Sequence, residues 1–254
     1  MAFSIDLSGK NILVTGASRG IGRSIALLLG KAGARVAVHY GRNVDAANSV
    51  ASEIGNGSFA IGADLGTSEA CLNLFAGVVE EMGTVDALVN NAGIAIDADA
   101  DGSDEAWISA WDQQMNVNAR ASAVLALKAV QHFSAQRGGR IVFISSRAAF
   151  RGDTADAWAY AASKSAIIGL NGSIARAYGK RGIKSFLIAP GWTLTEMAQA
   201  YIDEHGDARV LGEIALDRLT GPDDIAPMVA LLVSGMADHA TGTSIDMNAG
   251  SYVH

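Results

Sequence analysis

One cysteine, Cys71, in a chain of 254 residues excludes an internal disulfide. Its neighbours Phe75, Val78 and Met82 recur at helical spacing, so the thiol reads as part of a packed core. Proline is nearly as scarce, with three residues against 29 glycines, which argues against Pro-rich linkers and for tight turns and close backbone packing. Charge is sparse too, at 18% of residues against 50% hydrophobic, a balance that excludes a disordered chain. Basic residues are in deficit. The formal charge of −7 speaks against a nucleic-acid partner and against docking on an anionic membrane. No apolar run approaches the ~20 residues that span a bilayer. Residues 1–10 lack the basic start and long apolar segment of a secretory signal. A globular, cytoplasmic protein is expected.

What is present is a regular alternation. Short β-branched runs predict strands at 11–15, 35–40, 58–63, 86–90, 140–145, 183–189 and 244–247. Between them Ile21, Ile25, Leu28 and Leu29 mark one helical face, and further helices are predicted at 45–54, 68–82, about 103–136, about 158–179 and about 222–233. Such alternation implies right-handed βαβ crossovers and one α/β domain over 1–254, a doubly wound parallel sheet with helices on both faces. Its ligand belongs beyond the carboxyl ends of the strands, where the strand order reverses.

Two features carry chemistry. The first strand runs into Thr15-Gly16-Ala17-Ser18-Arg19-Gly20-Ile21-Gly22, which opens a helix. Glycines there allow a tight turn and a close approach to a pyrophosphate, which the helix N-terminus attracts through free N–H groups and its dipole. Downstream, Tyr160 and Lys164 lie four residues apart, on one face of a helix. A free tyrosine has a pKa of roughly 10. A fixed ammonium beside it would favour the phenolate and make the pair a tuned general acid and base.

The glycine spacing, G-x-x-x-G-x-G at Gly16, Gly20 and Gly22, together with Tyr160 and Lys164, resembles the short-chain dehydrogenase/reductase family over essentially the whole chain. Asn90-Asn91-Ala92-Gly93, Asn118, Ser146, and Pro190-Gly191 with Thr195 match further motifs of that family in order. The resemblance implies a single Rossmann-type domain. It implies that Tyr160 exchanges a proton with the substrate oxygen, and that Lys164 lowers the Tyr160 pKa and binds the nicotinamide ribose. Ser146 would hold the substrate oxygen, and Asn118 would anchor a water leading from Lys164 to solvent. Ser145 and Asn116 compete for the last two roles; the first is expected in the sheet packing, and the local V-N-x-x pattern selects Asn118. Cofactor contacts are expected from Gly16, Ser18, Arg19, Gly20, Ile21 and Gly22. Others are expected from Tyr40, Arg42, Asn43, Asp64, Leu65, Asn91, Ala92, Gly93, Tyr160, Lys164, Pro190, Gly191, Thr193 and Thr195.

A missing carboxylate distinguishes the dinucleotides. An acid at the end of the second strand would bind the ribose hydroxyls of NAD. Here the strand ends Val38-His39-Tyr40-Gly41-Arg42-Asn43. Arg19 and Arg42 would suit a 2′-phosphate, since guanidinium binds phosphate oxygens in a planar, bidentate manner. NADP(H) is therefore preferred and NAD(H) left open, although alone Arg42 reads as a solvated charge. Asp64 could instead cap the helix that follows.

Other signals point to no function. Asp97-Ala98-Asp99-Ala100-Asp101-Gly102 starts like a calcium loop, but Ile108 stands where the closing Glu belongs, so no metal is expected. His39, His132, His205, His239 and His254 lack metal-ligand spacing. No Gly-x-Ser-x-Gly elbow surrounds Ser146, which argues against hydrolase chemistry.

By resemblance, residues 192–219 form a substrate lid. Met197, Tyr201 and Ile202, with Phe150 and Trp158, either line a partly apolar pocket or belong to core or interface. Within the family the chain is most similar to 3-oxoacyl-(acyl-carrier-protein) reductases. Arg137 and Arg181 fall where those enzymes meet the acidic carrier, while sugar and small-ketone reductases share the scaffold. The helices near 103–136 and 158–179, rich in small residues, imply a homotetramer, and 251–254 could reach a neighbouring subunit. A catalytically inactive, cofactor-binding regulator or scaffold is the alternative. An enoyl reductase would show a longer Tyr-to-Lys spacing.

Overall fold

Successive residues of the central strands face opposite sides of the sheet, and both sides are apolar. In β1 (Asn11–Val14), Ile12 and Val14 pack into one helical layer and Leu13 into the other. The same division separates Val142 and Ile144 from Ile141 and Phe143 in β5 (Gly139–Ile144). Phe133, Phe143 and Phe186 are fully buried. Each such side chain contributes about 1.5–3 kcal/mol relative to exposure.

The structure, a computed structural model, describes residues 4–136, 138–195, 199, 202–203 and 206–253. The remaining strands are β2 (Arg35–Tyr40), β3 (Phe59–Gly62), β4 (Ala87–Asn90), β6 (Ile183–Pro190) and β7 (Ser244–Met247). All seven pair in parallel in the order β3-β2-β1-β4-β5-β6-β7. On one face lie α1 (Gly20–Lys31), α2 (Val44–Ile54) and the helix Pro222–Ser234. On the other lie α3 (Ser68–Met82), α5 (Ala121–Ala135) and α7 (Trp158–Tyr178). From β1 the chain builds outward to β2 and β3, then returns to β4 on the other side. The crevice between β1 and β4 is thus the place where a doubly wound sheet binds its ligand.

One predicted helix is divided. The stretch 103–136 resolves into α4 (Asp104–Gln114), a π-helical segment Met115–Arg120, and α5. Gln114 and Asn118, four residues apart across the junction, both bind the extended backbone of 94–96. Gln114 pairs with the N–H and C=O of Ile96 at 3.2 and 2.9 Å. Short helices such as α6 (Ala148–Arg151) and α8 (Asp207–Leu211) went unread in the sequence, too brief to show a periodicity. Cys71 is buried as expected, and burial pushes its thiol pKa up. Among the described residues no helix is long and apolar enough to cross a membrane.

Candidate active site

The loops that leave β1 and β4 are fastened to each other. Thr15 Oγ1 accepts the N–H groups of Asn91 and Ala92 at 2.9 and 3.0 Å. Asn91 Nδ2 returns bonds to the carbonyls of Thr15 and Gly16 at 2.8 and 3.1 Å. A Cβ on Gly22 would collide with the Gly16 carbonyl and this same amide, so only glycine fits. Gly16 and Gly20 take φ of 61° and 53°, the left-handed region that glycine tolerates. Arg19 stands at the N-cap of α1 in extended conformation, and among the described residues no side-chain cap bond is made to that helix. The N-terminus thus offers free N–H groups and a positive dipole end to an anion. Ala92 and Thr195 pack close to Gly16 and Gly20 respectively. The segment expected to hold a dinucleotide therefore has the form of a phosphate cradle.

His39, set aside in the sequence for want of metal spacing, holds this loop from beneath. Its Nδ1 accepts the Gly16 N–H at 3.0 Å, and its Nε2 lies 3.1 Å from the Ala63 carbonyl. Those partners require a neutral ring with its proton on Nε2. Burial favours that state and pulls the pKa below the ordinary 6.5. At the end of β2, Tyr40 packs against Gly62, and beyond it Arg42 is exposed without an ion pair or hydrogen bond among the described residues. Asn43 Oδ1 caps α2 through the Ala46 N–H at 2.9 Å. Asp64 accepts the Gly66 N–H at 2.9 Å beside buried Leu65. Thr67, not Asp64, caps the next helix.

Ser146, Tyr160, Lys164 and Asn118 converge near the carboxyl end of β5. Ser145 Oγ donates to the Lys164 carbonyl at 2.9 Å within the packing, whereas Ser146 Oγ accepts the Ala148 N–H at 3.1 Å and lies near enough to Tyr160 to lower its pKa. Lys164 is buried, and its Nζ donates to the Ile144 carbonyl at 3.1 Å. Burial pulls its pKa down to about 8. Gly93 gives this ammonium room, since a Cβ there would stand 3.0 Å from Nζ and 3.2 Å from Asn118 Oδ1. Asn118 is fully buried. It bonds both the N–H and the C=O of Ile94, at 2.8 and 2.9 Å, and Ser163 Oγ at 2.9 Å. Asn116 instead lines a groove of about 590 Å³ between the π-helical segment and α7.

Three influences act on the Tyr160 phenol. Burial pushes it above its ordinary value, the Ser146 hydroxyl opposes that rise, and the nearby Asp153 carboxylate adds to it. Lys164 Nζ lies 5.8 Å from the ring centroid and donates to the Ile144 carbonyl.

Gly191 packs tightly against Asn248, and Thr193 is buried and bridged to Thr220. Phe150 stacks on Tyr252 at 6.4 Å. Trp158, 50% exposed, meets Trp107 edge-on at 6.0 Å, and Trp107 stacks on Trp111. Asp97 lies close enough to Asp156 and Asp153 that their charges add to the upward push of burial on its carboxyl. Among the described residues no three His, Cys, Asp or Glu side chains are placed to hold a metal. Arg137, Met197, Tyr201, His205 and His254 lie outside the described residues.

Comparison with known proteins agrees with this geometry. Residues 10–206 match the family model for short chain dehydrogenases. The chain is similar to a 3-oxoacyl-(acyl-carrier-protein) reductase of Staphylococcus epidermidis, 38% identical over 96% of this chain and 99% of that protein. It is similar in structure to a dehydrogenase/reductase from Sinorhizobium meliloti, with a TM-score of 0.90 at 37% identity, covering 98% of each chain. A short chain dehydrogenase from Burkholderia cenocepacia, solved in complex with NADP, superimposes with a TM-score of 0.88 at 37% identity. That match covers 96% of this chain and 98% of the other.

Proposed function

The chain belongs to the short-chain dehydrogenase family, and we propose that it interconverts a carbonyl and a secondary alcohol using NADP(H), with Tyr160 as general acid and base. It is an oxidoreductase of the CH–OH class. The observation that carries the mechanism is the joint placement of Ser146, Tyr160, Lys164 and Asn118 beside an uncapped helix N-terminus.

The cradle fits a dinucleotide: α1 lacks a side-chain cap, and a Cβ on Gly22 would fill the turn. Gly16, Ser18, Arg19, Gly20, Ile21 and Gly22 would hold the pyrophosphate. Arg42, with Arg19, would meet a 2′-phosphate. Tyr40, Asn43, Asp64 and Leu65 would border the adenosine. Asn91, Ala92, Gly93, Pro190, Gly191, Thr193 and Thr195 would border the nicotinamide half. A bound nicotinamide supplies the hydride that reduces the carbon.

The protein manages the proton. Ser146 orients the substrate oxygen toward the Tyr160 hydroxyl, which donates its proton as the alcohol forms. The high phenol pKa suits that direction, because it keeps Tyr160 protonated at neutral pH. Lys164 then hydrogen-bonds the cofactor ribose and passes protons from solvent. Asn118 holds 93–94 in place, and its carbonyl in the π-helical segment anchors the water of that path.

One domain, 1–254, carries the site, with 192–219 as the substrate lid. The groove beside α7 supports a subunit contact there and a homotetramer. The substrate is a small ketone, a keto sugar or a 3-oxoacyl thioester, the last in keeping with the names of relatives. An inactive regulator is not supported, since all four catalytic positions are filled. Oxidation of NADPH and NADH against a panel of these carbonyls tests the proposal. Turnover with NADPH is expected, and its absence across the panel would overturn the reading.

A further inference from the structure

Arg147 follows Ser146 and carries a buried guanidinium, with 5% of the residue exposed. Its backbone N–H bonds the Pro190 carbonyl at 2.9 Å, so it ties the end of β5 to the end of β6. Nη2 donates to Glu213 Oε2 at 2.6 Å. That oxygen also accepts Trp192 Nε1 at 3.2 Å and lies 3.7 Å from Arg151 Nη2. The guanidinium lies over the Trp192 ring, with its carbon 5.8 Å from the centroid. Nη1 is screened from solvent and has no hydrogen-bond partner among the described residues.

This arrangement is unbalanced in two ways. A buried charged donor left unpaired carries its desolvation penalty without compensation. Two guanidinium groups also face one carboxylate, which leaves one positive charge in excess. The acids of 97–101 and 153–156 do not pair with it; Asp153 bears on Tyr160 instead. Glu213 and the Trp192 face fix the orientation of the guanidinium and leave one nitrogen uncommitted. The residue before it in the chain is the serine that would hold the substrate oxygen.

We propose that Arg147 is a specificity residue: a carboxylate carried by the substrate, a few bonds from the reacting carbonyl, displaces the packing that now covers Nη1 and takes its unpaired hydrogen. The preferred substrate is then a short oxo acid, or the corresponding hydroxy acid in the reverse direction. This rests on the carbonyl-reductase reading above and narrows it. Glu213 and Trp192 are positioning residues that act through Arg147.

The test compares kcat/KM with NADPH for 2-, 3- and 4-oxo acids, their methyl esters, and the neutral N-acetylcysteamine thioester of acetoacetate. At least one acid should exceed its ester by tenfold or more, mainly through KM, as expected for a binding contact. Arg147→Gln should bring that ratio to about one. Glu213→Gln, which removes the competing carboxylate, should preserve or raise it. Esters or thioester turned over by the wild-type protein as well as every acid would overturn the inference and leave carbonyl reduction standing. No turnover of any carbonyl would overturn the underlying reading instead. Calorimetric titration of the acids into the NADP-bound protein then tests Arg147 separately. Binding lost in Arg147→Gln supports the assignment, and binding equal to wild type overturns it. The wild-type comparison decides even if that variant fails to fold.

Discussion

Asn118 and Ile94 are joined twice: Oδ1 accepts the Ile94 N–H at 2.8 Å and Nδ2 donates to its carbonyl at 2.9 Å. With its second amide hydrogen on Ser163, this side chain has no donor left for water. Its main role is to hold the backbone beside Gly93, one residue from Ile94. Asn118→Ala leaves two half-buried backbone groups of Ile94 unpaired, which together costs about 1–3 kcal/mol. Urea unfolding should show that loss together with reduced turnover. Wild-type stability in the variant would show that the pairing does not hold this segment.

Lys164 ties stability to pH. Its folded pKa is about 8 against 10.5 for the free side chain, lowered by burial. Between these values the unfolded chain binds more protons, so stability rises with pH through that window. Below it the penalty for burying the charge is fully present. In the absence of cofactor, the wild type should gain roughly 3 kcal/mol on Lys164→Met between pH 7 and 10.5. A difference that does not change with pH would contradict the depressed pKa.

His39 has the same sign at lower pH. Its folded pKa is depressed by burial, so the unfolded chain protonates first as pH falls below 6.5. Stability is lost through that range, because protonation also breaks the Gly16 bond to Nδ1. His39→Ala should cost about 1–3 kcal/mol at pH 8 and raise the KM for NADPH, with a smaller stability gap at pH 5.5. A gap that stays constant or widens would contradict the neutral clamp.

Arg42 stands exposed at the end of the second strand without a bonded partner among the described residues. Its replacement by alanine should therefore weaken NADPH binding roughly tenfold while changing NADH little, the cost of one charge-assisted bond. Equal losses for both cofactors would remove the case for 2′-phosphate recognition.

The glycine loop, the Tyr160–Lys164 pair and the alternation of strands and helices were legible because each is a contiguous pattern. The π-helical segment was not. One wider turn inside 103–136 leaves a helical hydrophobic pattern intact, and its cause, Gln114 and Asn118 on the backbone of 94–96, is remote in sequence. His39 and Arg147 were missed for the same reason. Their partners Gly16, Ala63, Trp192 and Glu213 become neighbours only in the folded sheet. Helical spacing correctly placed Lys164 beside Tyr160. Spacing could not reveal that burial would push the phenol pKa up.

The central claim is that Tyr160 supplies and accepts the proton. The most direct measurement is single-turnover reduction by Tyr160→Phe, with NADPH binding measured alongside. The phenyl ring keeps the packing and loses only the hydroxyl. NADPH affinity within about threefold of wild type, with turnover reduced by 10²–10⁴-fold, is the expected result. Wild-type turnover in this variant would contradict the mechanism.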